Sequence, residues 1–226
     1  MEHAKLIELI TREVIAQLSE HSFPSGMTKA KLVPVAVSMR HVHLAQPEID
    51  ILFGIGHRLT KLRELYQPGE FAAEEVVTLV GPKLRSIPNV RVLGPVRKRT
   101  QVEVSRTDAI ILGIDAPVRP SGQLAGVETI TLVGPKGSIT LPESCIVANR
   151  HIHISPLEAQ QWGLTDNDLV TVKVLSDKTT IFGDVQVRVG DTFKLIMHID
   201  TDDANAADVR CGTMVEIADK EGQGCL

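Results

Sequence analysis

From residue 33 onward the chain is written in short β-branched runs, and their spacing constrains the fold more than any other feature. The runs cover residues 33–38, 76–80, 90–93, 102–105, 109–114, 128–133, 146–154, 169–175, 181–189, 194–199 and 213–217. Turn residues separate most of them, including Gly81-Pro82, Gly94-Pro95, Gly134-Pro135 and Asp177-Lys178. Many short strands at such spacing predict barrels or sandwiches rather than strand–helix–strand units. Aromatic residues are only 3% of the chain, so the core has to be built from Val, Ile and Leu. Brief helices are expected near residues 47–53 and 156–162, each with proline at its start, where the missing N–H costs nothing. A third is expected over residues 201–207, with acidic residues at its N-terminus.

The first thirty residues read differently. Over residues 3–20, Ile7, Ile10, Val14 and Leu18 recur at three- and four-residue steps with Leu6 beside them, which predicts one amphipathic helix. Residues 21–29 have the composition of a linker. A helix this short needs a surface for its apolar stripe, and that surface is either its own domain or an external partner. Lys and Arg number 24 against 28 Asp and Glu, a net charge of −4, so bulk charge gives no reason to bind nucleic acid. Three cysteines without a CxxC pair suggest a reducing compartment. No apolar run approaches membrane-spanning length, and the charged N-terminus is unlike a secretory signal; a soluble, intracellular protein is expected.

One motif occurs twice. Arg40-His-Val-His-Leu44 returns as Arg150-His-Ile-His-Ile154, each followed by proline and a short helical segment. The repeat Thr78-Leu-Val-Gly-Pro-Lys83 and Thr131-Leu-Val-Gly-Pro-Lys136 has a different offset, which argues against a solenoid and for two related barrels, each with one histidine strand. Alternate residues of a strand share a face, so His41 and His43 point one way, as do His151 and His153. Each pair suits a common metal ion; a single HxH could equally line a polar surface, but two copies in matching context favour metal. His198, in Leu195-Ile-Met-His-Ile-Asp200, alone would read as a buried neutral histidine. Glu103, in Gln101-Val-Glu-Val-Ser105, alone would read as a solvated residue of an edge strand. Together these five histidines and one carboxylate could serve two zinc ions and leave a position open for substrate. Arg97-Lys-Arg99 is a basic triplet at a turn, with arginine forks suited to phosphate, though such a triplet alone would read as solvated. Cys145 reads as a small buried hydrophobe rather than a nucleophile. His3, His21 and His57 read as surface residues.

At these residues the chain closely resembles the PduL-type phosphotransacylases, the phosphate propanoyltransferases of bacterial microcompartments. The match runs from Lys31 to Asn205 through Ser38-Met-Arg-His-Val-His43, Val77-Thr-Leu-Val-Gly-Pro-Lys83, Leu93-Gly-Pro, Gln101-Val-Glu-Val-Ser-Arg-Thr-Asp108, Arg150-His-Ile-His and Met197-His-Ile-Asp-Thr-Asp-Asp-Ala-Asn205. The resemblance implies a mainly β protein of two β-barrel domains with short capping helices and an active site between them. It implies an encapsulation peptide over residues 1–20, a linker over 21–31, one discontinuous barrel from 32–44 with 149–219, a second from 45–148, and a tail over 220–226. It places one zinc on His41, His43 and Glu103 and another on His151, His153 and His198. It implies phosphate binding by Arg97, and coenzyme A contacts at Val37, Ser38, Met39, Lys83, Arg91 and Asn205. Met39 departs from the Asn common there in the family.

The implied reaction interconverts acyl-CoA and phosphate with acyl phosphate and free coenzyme A, propanoyl being the expected acyl group. The implied setting is the bacterial cytoplasm, inside a microcompartment lumen such as that for 1,2-propanediol degradation. Residues 3–20 would meet shell or cargo proteins, and a homo-oligomer, a dimer, is expected, with no nucleic-acid or membrane partner. Two other readings compete. A dizinc amide or ester hydrolase would release coenzyme A without phosphate, and a non-catalytic microcompartment-associated protein would bind metal only for stability.

Overall fold

The computed structural model describes residues 30–218. The amphipathic stretch 3–20, almost all of the linker and the tail 220–226 lie outside them. The described chain is mainly β, with fourteen strands, four short helices and one 3₁₀ turn at Pro82–Leu84. No helix among the described residues is long and apolar enough to cross a membrane.

Six strands close one barrel: β1 (Lys31–Ser38), β13 (Ile196–Asp200), β10 (His151–Ile154), β12 (Thr180–Val189), β11 (Leu169–Val174) and β14 (Met214–Ile217), in that order around the ring. A second ring runs β9 (Ser138–Ala148), β6 (Gln101–Glu103), β2 (His41–His43), β5 (Ser86–Gly94), β4 (Phe71–Val80) and β8 (Glu128–Val133), with β8 pairing back onto β9. Two short strands, β3 (Lys61–Glu64) and β7 (Val118–Arg119), are added outside this ring on β4 and β9. We refer to the two rings as the C-terminal and the central barrel.

The rings repeat one pattern of parallel and antiparallel neighbours. In the central barrel β2 runs parallel to β5 and antiparallel to β6, and β6 runs parallel to β9. In the C-terminal barrel β10 runs parallel to β12 and antiparallel to β13, and β13 runs parallel to β1. The correspondence exposes an exchange. β1 belongs to the C-terminal barrel, and after Met39-Arg40 the chain enters the central barrel as β2. β9 belongs to the central barrel, and after Asn149-Arg150 the chain enters the C-terminal barrel as β10. Each histidine strand is thus delivered across the boundary.

This corrects the expected boundary: residues 32–44 do not all join the C-terminal barrel. His41–His43 pairs with Arg91–Leu93 and Gln101–Glu103, so the central barrel begins at β2. The strand expected over 146–154 is likewise two strands, ending in one barrel and restarting in the other.

Each barrel has its own aliphatic core. Val42, Leu44, Val77, Val92, Val102 and Ile130 fill the central one. Val33, Val35, Ile152, Ile154, Val187 and Met197 fill the other. Fully burying one such side chain contributes about 1.5–3 kcal/mol. Cys145 is completely buried in the central core, and burial pushes its thiol up to about 12, so it packs rather than reacts.

The helices are α1 (Gln46–Phe53), α2 (Arg106–Leu112), α3 (Pro156–Trp162) and α4 (Thr201–Ala207). Three match the expected segments. The fourth, α2, stands where a strand was expected over 109–114. Local capping decides it: the Ser105 hydroxyl accepts from the Asp108 N–H, the Asp108 carboxylate accepts from the Ser105 N–H, and Gly113 closes the helix at φ 73°. The apolar residues then divide at helical spacing, with Ala109 and Leu112 buried and Ile110 and Ile111 exposed.

Candidate functional site

Cross-strand register builds two triads of the same design. His41 lies opposite Glu103 on β2 and β6, and His151 lies opposite His198 on β10 and β13. Strand alternation adds His43 to the first and His153 to the second. In both triads the leading imidazole is held by the carbonyl two residues before it: His41 Nδ1 lies 2.8 Å from the Met39 oxygen, and His151 Nδ1 lies 2.9 Å from that of Asn149. That contact assigns the proton to Nδ1 and leaves Nε2 as the donor atom for a ligand.

The arginine preceding each pair anchors the crossing chain. Arg40 meets Asp108 at 2.6 Å, at the start of α2. Arg150 grips Asp203 with two bonds, 2.8 and 2.9 Å, at the start of α4, and lies over the Phe182 ring. Both acids sit in the first turn of a helix, where a negative charge is favoured.

The triads are crowded. His41, His43 and His153 are buried, and the His151, His153 and His198 rings lie 4.8 to 5.0 Å apart. Glu103 reaches His41 at 3.5 Å and His43 at 4.0 Å. Burial raises the Glu103 carboxyl, but His41, His43, His151 and Arg97 outweigh it and bring it down to about 2. Burial lowers His153 to about 2 and His198 to about 3, helped in each case by the neighbouring imidazole of His151, so these rings are neutral. The buried amide of Gln101 donates to Glu103 and to Ser121, fixing the carboxylate from behind.

Four ring nitrogens in the triads are buried without a hydrogen-bonding partner: His43 Nδ1, His153 Nδ1 and Nε2, and His198 Nε2. Leaving a buried polar atom unpaired is costly, so their concentration at one place points to a ligand. Within each triad the donor atoms lie within 4.8 Å of one another, close enough to share one ion. Neutral imidazoles with one carboxylate are a donor set that fits zinc. A cleft joins the two triads, lined by Ser38, Met39, Arg40, His41, Glu103, Asn149, His151 and His198.

A family model described as phosphate propanoyltransferase matches residues 34–210. The chain belongs to the phosphate propanoyltransferase family. A curated protein of that name from Lachnoclostridium phytofermentans is 55% identical over 211 residues, 93% of this chain and 97% of that one. Similar proteins so named from Thermotoga maritima and Salmonella typhimurium are 52% and 49% identical, over 82% and 90% of this chain and 88% and 91% of their own.

Among the other residues marked out in this phosphate propanoyltransferase family sequence, Arg97 stands beside the central triad, half-buried. Its backbone N–H donates to the Leu44 carbonyl, and its charge is felt by His43, Glu70 and Glu103. Ser38 and Met39 line the cleft, and Val37 precedes them on β1. Arg91 lies beside His41 in register, but its guanidinium donates to the carbonyls of Ala73 and Glu74. Lys83 sits on the 3₁₀ turn and Asn205 on the exposed side of α4; neither lines the cleft. His57 is not the free surface residue expected from the sequence, since it bonds Glu75 at 2.7 Å and stacks on Phe53.

The structure adds residues that sequence reasoning did not single out. Phe193 stacks on His153 with centroids 4.1 Å apart. Gln67, in the β3–β4 connection of the central barrel, clasps the backbone of Lys194 in the C-terminal barrel through both amide atoms, at 2.9 and 3.0 Å. That connection carries Glu70 into the field of Arg97, His41 and Glu103, where burial raises its carboxyl. Arg188, on β12, lies beside His153 in register. Only long-range pairing brings these residues to the triads, so local sequence pattern carried no signal for them.

Proposed function

We propose that this chain is a phosphate acyltransferase that interconverts acyl-CoA and inorganic phosphate with acyl phosphate and coenzyme A, propanoyl being the preferred acyl group. The meeting of two metal-type triads at one cleft, in a chain of this family, carries the reading. His41, His43 and Glu103 would hold one zinc ion, and His151, His153 and His198 a second. Zinc bound there would supply Lewis-acid polarisation of the thioester carbonyl and stabilise the departing thiolate sulfur.

The chain's own residues do the positioning. Arg97 holds phosphate by charge-assisted hydrogen bonds, so that attack occurs within a bound complex rather than on collision. A phosphate oxygen attacks the carbonyl carbon, the C–S bond breaks, and its electron pair leaves with sulfur. The proton lost by phosphate balances the one that the thiolate takes up. Attack is direct in this reading: Cys145 is inert in the core, and the Ser38 hydroxyl, which lines the cleft, has no hydrogen-bonded base to activate it among the described residues. The Phe193 ring stacked on His153 would shield that imidazole from water, which competes with phosphate. Val37, Ser38 and Met39 are proposed to contact coenzyme A at the cleft mouth, with Arg91, Lys83 and Asn205 contributing further out.

The decisive measurement is release of coenzyme A from propanoyl-CoA with and without phosphate. Release that requires phosphate and yields acyl phosphate is expected; equal release without it would identify a hydrolase instead. Arg97→Ala should raise the KM for phosphate about 10- to 100-fold. We further propose that the apolar stripe of residues 3–20 docks the enzyme on a microcompartment shell or cargo protein, in the lumen of a bacterial compartment. Deletion of residues 1–20 should abolish co-purification with the compartment while leaving turnover intact.

A further inference from the structure

Arginines stand near the two triads in two conditions. Arg40 and Arg150 are tied to Asp108 and Asp203, and Arg91 to backbone carbonyls. Arg97 and Arg188 are half-buried, and among the described residues their guanidinium groups make no hydrogen bond or ion pair. Arg97 comes from the central barrel and Arg188 from the C-terminal one.

The placement of Arg188 follows from register. β12 runs parallel to β10, with Gln186 beside His151 and Arg188 beside His153. Val185 and Val187 are completely buried in the barrel core, so the residues between and after them face outward with the histidines. The charge of Arg188 is felt by His151, His153 and His198, by Arg97 and by Glu70. Glu103 and Glu70 offset part of the charge on Arg97, but neither touches its guanidinium, and the two half-buried arginines repel each other, so an anion held between them would be favoured.

We propose that Arg188 is a second phosphate-binding residue of the acyl-transfer site, gripping the phosphoryl group from the C-terminal barrel while Arg97 grips it from the central one. This rests on the phosphate acyltransferase reading above. A phosphate dianion has enough oxygens to accept from two planar forks at once, and holding it from both barrels fixes which oxygen faces the thioester. Coenzyme A also carries phosphates, so the shared chemistry is a phosphate group; the position beside His153, within the triad, favours inorganic phosphate.

The test uses the full chain with Arg188→Ala and Arg188→Lys, assayed with propanoyl-CoA and with a propanoyl thioester of pantetheine, which lacks the nucleotide phosphates. For Arg188→Ala, the KM for phosphate should rise about 10- to 100-fold with both thioesters, and equilibrium binding of inorganic phosphate should weaken by a similar factor. The KM for propanoyl-CoA should stay within about 2-fold, and Arg188→Lys should recover part of the loss. An unchanged phosphate KM and unchanged phosphate binding would overturn the assignment. A rise confined to the KM for propanoyl-CoA, absent with the pantetheine thioester, would reassign Arg188 to the coenzyme and overturn it too. If the wild-type protein releases coenzyme A without phosphate, the functional reading falls and this inference with it. If wild type requires phosphate and the variants match it, only the inference falls.

Discussion

The two barrels share one plan and differ at one position of their triads. Each brings an Arg-His-x-His strand across the boundary, holds its first imidazole by a carbonyl two residues back, and ties its arginine to an acid at a helix start. Opposite His41 stands Glu103; opposite His151 stands His198. The central triad therefore carries a negative charge and the C-terminal triad is neutral. A divalent ion in the first would keep a net charge near +1, and in the second near +2. The two triads share a design and are electrostatically unequal, because one position holds a carboxylate and its counterpart an imidazole.

The comparison breaks most severely if the triads are not separate sites. His153→Ala should lower bound zinc from two ions per chain to one and cut turnover by about 10³-fold or more, read by elemental analysis and coupled assay. Loss of both ions together would show a single cooperative centre. A smaller perturbation equalises the triads. Glu103→His should keep two ions yet reduce turnover about 10- to 100-fold; undiminished activity would mean that the carboxylate's charge is irrelevant.

Smaller still are the structural anchors. Arg150→Met removes a bidentate pair and a ring contact and should lower stability by about 2 kcal/mol, whereas Arg40→Met should cost about 1 kcal/mol; urea midpoints give the order. The least effect concerns an acid found on the central barrel alone. Burial raises the Glu75 carboxyl, but hydrogen bonds from His57 and Thr60 outweigh it and hold it below its ordinary value. A group depressed in the folded state stabilises above its unfolded pKa and loses that contribution as pH falls through the folded value. Glu75→Gln should therefore flatten the decline in urea midpoint below pH 4.5, and an identical decline would remove Glu75 from the account.

Much of the site was legible because its signal is local. The period-two placement of His41 with His43 and of His151 with His153 was enough to read shared faces, and proline at the helix starts located α1 and α3. What the sequence left hidden depends on partners distant in the chain. Nothing in residues 32–44 says that β1 and β2 pair in different barrels, since both are short apolar strands and only register with β13 and β6 separates them. Arg188 reads as the polar half of an alternating strand until β12 is laid beside β10. The misreading of 109–114 has another cause: the β-branched content of that short run suggested a strand, while the Ser105–Asp108 capping box had already committed the backbone to a helix.

The exchange of strands also sets an order on how the molecule can be assembled. All six strands of the central ring lie between residues 41 and 148, so it can close while the chain is still being made. The other ring begins with β1, whose neighbours β13 and β14 are the last two of the described strands. Its first strand must wait for them while the whole central ring is made, held beside that ring by only two residues, Met39 and Arg40. A ribosome-bound chain is most open to mispairing along that waiting edge.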